Sequence, residues 1–291
     1  CNDHPSDRSN FTVTVTVPSG DAAVSNGALV DHRVSSDQQR GTWSWSEPYP
    51  MATYLLQLLI GRFDLVEGRA GSEELSSAVP PRFRSAAAPA LRALHDQLDY
   101  FSHRFGPYPF RSYGIAVVAD TGGLAIEQQE RPLFEASTLA RTPSDAVTAH
   151  EMAHQWFGNS VTPRRWSDIW LNEGFATYAE WLWLDHVGIA SISESASAAA
   201  SARSATHSVG APGAADMFDR TEYDGGALVL YALRRTIGDV AFSEVMRRWA
   251  ARADVLGSGD FIELAEVVAR RPLKLFFGTW LYAVRQPSVV P

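Results

Sequence analysis

The chain holds one cysteine, Cys1, so no disulfide joins two of its parts. Cys1 has three readings: a lipidated residue left after signal cleavage, an ordinary cysteine exposed by truncation, or an artificial start. No lipobox precedes it, and there is no initiator methionine and no visible targeting segment. Lysine is nearly absent: Lys274 is the sole one, and the remaining cationic charge is arginine. The formal charge of -8 argues against nucleic acid as the main partner, because phosphate binding needs a basic surface. No run approaches the ~18 apolar residues that a membrane crossing needs. The stretch from Met51 to Ile60 is too short and ends at Gly61-Arg62. No internal repeat is present.

What is there suits a globular protein. The 291 residues fit one large domain or two modest ones, and 45% hydrophobic residues supply a sizeable core. The first third reads as β. Phe11 to Val17 alternates apolar and polar residues, the period-two pattern of a half-buried strand, and Pro18-Ser-Gly-Asp21 breaks it as a turn. Ala28 to Val30 and Thr42 to Ser46 read as short strands, and Thr53 to Leu59 with Arg62 to Glu67 as one longer strand or a pair. The Gly-, Ser-, Ala- and Pro-rich stretch from Glu67 to Pro89 reads as a connection between lobes.

From Pro89 the pattern turns helical. Leu91, Leu94, His95, Leu98, Phe101 and Phe105 recur at helical spacing and stop at Gly106-Pro107. Tyr113 to Ala119 has the composition of a buried strand. Thr142-Pro143-Ser144-Asp145 has the form of a helix start, opening a helix that runs to Trp156-Phe157 and ends at Gly158. A second helix covers about Glu173 to His186. Ser191 to Ala205 is compatible with a helix or a disordered stretch, and Val209 to Gly213 reads as a loop. Helices resume at Gly226–Ile237, Asp239–Ala253, Asp260–Ala269 and Leu273–Leu281.

The chemistry concentrates in His150-Glu151-Met152-Ala153-His154. Residues four apart share one helix face, so both imidazoles can reach one ion, at about 2.0–2.1 Å from each ligating nitrogen. Glu151 then stands beside the water side of the metal. Asn172-Glu173-Gly174 follows and opens the second helix. Glu173 completes a set of two histidines and one carboxylate, which leaves one position open for water. The apolar run Trp166 to Leu171 can bury the site. His4, His32, His95, His103, His186 and His207 lack such partners and read as surface or packing residues.

These motifs resemble the gluzincin aminopeptidase family, which includes aminopeptidase N and leukotriene hydrolase. The likeness rests on His150-Glu-Met-Ala-His154 and Asn172-Glu-Gly-Phe-Ala176. It extends to Gly123-Leu-Ala-Ile-Glu127-Gln128 at the place of an exopeptidase motif, and to Tyr223-Asp-Gly-Gly226. Phe105 to Phe110 and Phe276 to Tyr282 also look like family landmarks, and the match is closest to short bacterial members of actinobacterial type. Leu124 and Gln128 depart from the motif's Gly and Asn, and Gly225 from a common Lys.

The resemblance implies an α+β protein: a thermolysin-like, mainly helical zinc catalytic domain (89–291) after a partial antiparallel β-sheet domain (1–68) and a connection (69–88). It implies that the chain starts partway through the β-domain. It implies one Zn²⁺ per chain, held by His150, His154 and Glu173. Glu151 would activate the water, Tyr223 would stabilise the oxyanion, and Glu127 would bind the free amine of a peptide substrate. Asp168 and Glu180 are candidates to orient the ligating histidines. Short bacterial relatives tend to be exported, which favours a secreted location over a cytoplasmic one. The rivals are an endopeptidase with the same zinc chemistry, a hydrolase of a non-peptide electrophile such as an epoxide, and a catalytically impaired fragment.

Overall fold

The computed structural model describes residues 2–140, 144–202 and 206–287. Cys1 and the helix start at Thr142-Pro143 lie outside them. Strands fill the early chain and helices the later part, the α+β arrangement expected. The backbone gathers into two compact units. One comprises Cys1–Asp3, Asp7–Tyr100 and Tyr108–Gln155; the other comprises His4–Ser6, Phe101–Pro107 and Trp156–Pro291.

In the first unit, β1 (Arg8–Pro18), β3 (Ala28–Val34) and β4 (Arg40–Ala52) form an antiparallel sheet in the order β1-β4-β3. The alternation in β1 puts Val17 in the core and leaves the threonines outside. Strands β2 (Ala22–Ser25) and β5 (Leu58–Gly61) pair antiparallel. The stretch Thr53–Leu59 is not one strand: Thr53–Leu55 closes a single 3₁₀ turn, with Leu56 N–H donating to the Thr53 carbonyl at 3.2 Å. Leu55 thereby enters a small core with Met51 and Ala52.

The expected connection at 69–88 is largely structured. Strands β6 (Asp64–Ala70) and β7 (Glu73–Val79) form a hairpin, turned at Gly71 in the left-handed region (φ +61°). Their small residues mark crowding rather than slackness: a Cβ on Gly114 would lie 2.0 Å from the Ser76 carbonyl oxygen. Strands β8 (Ser112–Tyr113), β9 (Ala116–Val118), β10 (Ala125–Ile126) and β11 (Leu133–Glu135) complete a six-stranded sheet. Its order is β10-β11-β9-β7-β6, with β8 beside β7. The sheet is mixed, since β7–β8, β7–β9 and β9–β11 run parallel.

Arg131 staples this unit. Its buried guanidinium lies 5.0 Å from the centre of the Trp45 ring and donates to the carbonyls of Ser25, Gly27 and Ser76. Burial lowers its pKa to about 10, opposed by the charges of Glu130 and Glu47, so it stays cationic at neutral pH.

Helix α1 (Arg84–Phe105) starts before Pro89, because a proline this early deprives only the Ser85 carbonyl of its helical partner. A short helix α2 (Ala136–Leu139) follows, then α3 (Ser144–Ala153). Helix α3 stops earlier than Gly158. His154 N–H still reaches the His150 carbonyl at 3.3 Å, but Gln155 N–H turns to Met152 at 3.0 Å, tightening the end.

The second unit is helical: α4 (Trp170–His186), α5 (Ile192–Ala202), α6 (Gly226–Ile237), α7 (Asp239–Ala250), α8 (Ser258–Ala269) and α9 (Lys274–Trp280). Two short strands, β12 (Thr162–Pro163) and β13 (Val255–Leu256), pair in parallel. Helix α4 is buried along most of its length, starting three residues before Glu173. Its Phe175 packs on Phe157 and Phe261 with ring centres 4.8 and 5.2 Å apart. Among the described residues no helix is long and apolar enough to cross a membrane.

Candidate metal centre

Helix α3 carries the first two candidate ligands because its other faces are committed to packing. Asp145 in the first turn favours the helix N-terminus, and Ala146, Ala149, Met152 and Ala153 are buried. Gln97 of α1 donates to the Asp145 carbonyl at 2.8 Å and to Thr148 Oγ1 at 3.0 Å, fixing the rotation of α3. His150 and His154 then lie one turn apart with ring centres separated by 4.9 Å at an angle of 74°. Glu151, between them, is 6% exposed. The Tyr113 phenol is pushed well above its usual pKa, by burial first and by the Glu151 charge second.

His150, His154 and Glu173 are all buried and form a group that could hold one metal ion. Two imidazoles and a carboxylate are a donor set that fits Zn²⁺.

Glu173 is positioned by a contact that spacing alone did not reveal. Its neighbour Gly174 touches Gly226 at the start of α6, where a Cβ on Gly174 would lie 2.6 Å from the Gly226 Cα. A Cβ on Gly226 would lie 2.7 Å from the Gly174 Cα. The two helices can meet only where both residues are glycine. Just before Gly226, Thr221–Gly225 forms a single π-helical turn that carries half-buried Tyr223. Such turns often stand at functional sites.

Glu127 follows β10 and is half-buried. Its loop is held through Gln155, the residue after His154, whose side chain is fully buried. Gln155 Oε1 accepts from the Glu130 N–H at 2.8 Å, and its Nε2 donates to the Gln128 carbonyl at 3.4 Å. This tie was missed in the sequence, where Gln155 looked like an ordinary helical residue.

The two candidates for orienting histidine differ. Asp168 is spent on α8: its Oδ1 accepts from Ser258 N–H at 3.0 Å and Ser258 Oγ at 2.7 Å. Trp170 Nε1 donates to the same Ser258 Oγ at 2.9 Å. Asp168 therefore serves as a clamp on a helix start and not as a partner of either imidazole. Glu180 lies half-buried on α4. His207 departs from the packing role expected of it, lying 3.0 Å from Glu222 Oε1 through its Nε2.

Relatives were found for nearly the whole chain. Glutamyl aminopeptidase of Sus scrofa is 27% identical over 99% of this chain and 33% of its own length. Probable aminopeptidase 2 of Sulfurisphaera tokodaii is 30% identical over 99% of this chain and 40% of its own. The chain thus spans about a third of these curated relatives. A mutant of the M1 zinc metallopeptidase from Deinococcus radiodurans, solved with the substrate Tyr-Ser-Ala, superposes with a TM-score of 0.84. It is 28% identical over 99% of this chain and 67% of that one. Residues 90–280 match the model of the peptidase family M1 domain, and residues 1–55 that of the peptidase M1 N-terminal domain. With both family models matched, this chain belongs to peptidase family M1.

Proposed function

We propose that this chain carries the catalytic centre of a zinc aminopeptidase, which removes the first residue from peptides with a free N-terminus. The observation that carries the reading is His150 and His154 one turn apart on α3 with Glu151 between them, supported by buried Glu173 as a further donor that could hold the same ion. Aminopeptidase relatives and the tripeptide-bound neighbour support it. In this reading residues 89–291 supply every group that acts on the substrate, and 1–68 form a supporting β part.

Zinc, when bound, supplies Lewis acidity: it lowers the pKa of a bound water to about 7 and polarises a carbonyl. His150, His154 and Glu173 would hold it. Glu151 is not needed as a ligand, so its carboxylate is available to take a proton from the attacking water and return it to the leaving amine. Tyr223 would donate its phenol O–H to the oxygen that becomes negative, a contact typically worth about 2.7–4 kcal/mol of barrier. Glu127 would pair with the substrate ammonium, a charge-assisted contact that fixes which peptide bond is presented.

The test is hydrolysis of aminoacyl fluorogenic amides against their N-acetylated counterparts, with Glu127→Ala and Glu151→Gln beside the parent. The expected result is cleavage of the free-amine substrates only, and loss of activity in both variants. Equal cleavage of blocked substrates with a harmless Glu127→Ala would make the protein an endopeptidase.

A further inference from the structure

A second group of metal-type donors lies wholly within the helical unit. His207, Asp219 and Glu222 each offer one ligand atom, and these lie within 4.8 Å of one another. His207 Nε2 is 3.0 Å from Glu222 Oε1, and its Nδ1 is 3.7 Å from Asp219 Oδ2. Glu222 is fully buried, yet among the described residues its Oε2 has no hydrogen-bond partner. Leaving such an oxygen bare is costly.

Burial first, and then Asp219, push the Glu222 pKa up to about 8, so at neutral pH its carboxyl holds a proton that a bound cation would displace. The adjacent cation, Arg220, is paired instead with Asp224 at 2.9 Å. Asp219 Oδ1 accepts the Thr221 N–H, which leaves its Oδ2 on the histidine side. The Asp219 side chain is 40% exposed, so an ion can enter from solvent.

We propose that His207, Asp219 and Glu222 bind a second divalent transition cation, separate from the one at His150, His154 and Glu173. One imidazole with two carboxylates suits zinc or manganese better than calcium or magnesium. The ion displaces the Glu222 proton and takes the buried Glu222 oxygen as a ligand. Asp219 and Glu222 bracket the entry to the π-turn, and Glu222 is the residue before Tyr223, so a bound ion pins the turn that carries the tyrosine. The inference does not depend on what chemistry occurs at His150.

The test counts zinc. The chain is loaded with ZnCl₂, desalted and analysed by mass spectrometry for metal per chain, with folding checked by circular dichroism. The parent should retain about two equivalents, and His207→Ala and Asp219→Asn about one each. Asp219→Asn, at the partly exposed position, is the variant least disturbing to the fold. A His150→Ala/His154→Ala double variant should also retain about one. A parent that holds a single equivalent, kept by His207→Ala and Asp219→Asn and lost from the double variant, overturns the proposal. So do single variants that hold as much as the parent. A double variant that still holds two would instead count against the His150 centre and leave this site standing.

Discussion

The two residues that flank His154 and Glu173 decide how their neighbours stand. Gln155 spends both ends of its amide on the loop after Glu127. Gln155→Leu keeps the size but leaves the Glu130 N–H and the Gln128 carbonyl without those partners, which costs roughly 1–3 kcal/mol. We expect a lowered melting temperature and a raised KM for free-amine substrates, with kcat less affected, because the variant loosens the Glu127 loop without touching the proton-transfer groups. A fall in kcat at unchanged KM would count against this account. Glu151→Gln should behave in the opposite way. It keeps binding and loses proton transfer, so kcat should drop by roughly 10²–10⁴-fold with metal content unchanged.

At the scale of elements, legibility followed chemistry. The proposed ligand trio stood out because metal chemistry demands rare residue types at fixed helical spacing. Helix α6 was readable at both ends, through Gly226 and Gly238. The 69–88 stretch was misread because small residues signal both loose chain and tight packing, and only the fold tells that Gly114 sits against Ser76. The end of α3 was misread because the glycine that looked like its cap, Gly158, belongs to a later turn with φ +129°. His207 was dismissed because its partners lie 12 and 15 residues ahead, outside any known spacing. Helix contacts carry their own prediction. Gly174→Ala pushes a methyl into the Gly226 backbone at 2.6 Å, with no flexible side chain to yield. Overpacking of this kind costs about 1–3 kcal/mol. Activity should fall further than stability, since Glu173 and Tyr223 both flank the contact, and urea unfolding run beside kinetics would separate the two effects.

Over the whole molecule, two kinds of group respond to the solution. Glu47 is 1% exposed, and among the described residues its Oε2 has no hydrogen-bond partner. Burial, and then the charge of Glu130, push its pKa up to about 8. A raised pKa means that the folded state holds a proton which the unfolded chain releases near pH 4.3 (about the ordinary glutamate value). Its contribution is therefore complete below that pH and is lost as pH rises through about 8. The melting temperature of the parent should decline across this window, and Glu47→Gln, which is neutral throughout, should flatten the decline. An unchanged slope would show that Glu47 is not the titrating group. Metal removal is the other lever. Dialysis against a chelator should abolish hydrolysis and lower the melting temperature, and added zinc should restore both.

The bare backbone contact between Gly174 and Gly226 also sets a rule for anyone diversifying this enzyme. Libraries built around the substrate pocket can randomise many nearby positions, but these two must be held constant together. Neither tolerates a change alone, and no change at one is rescued by trimming the other, because there is nothing left to trim. The pair marks a fixed point around which neighbouring positions can change while the seat of Glu173 and Tyr223 stays where it is.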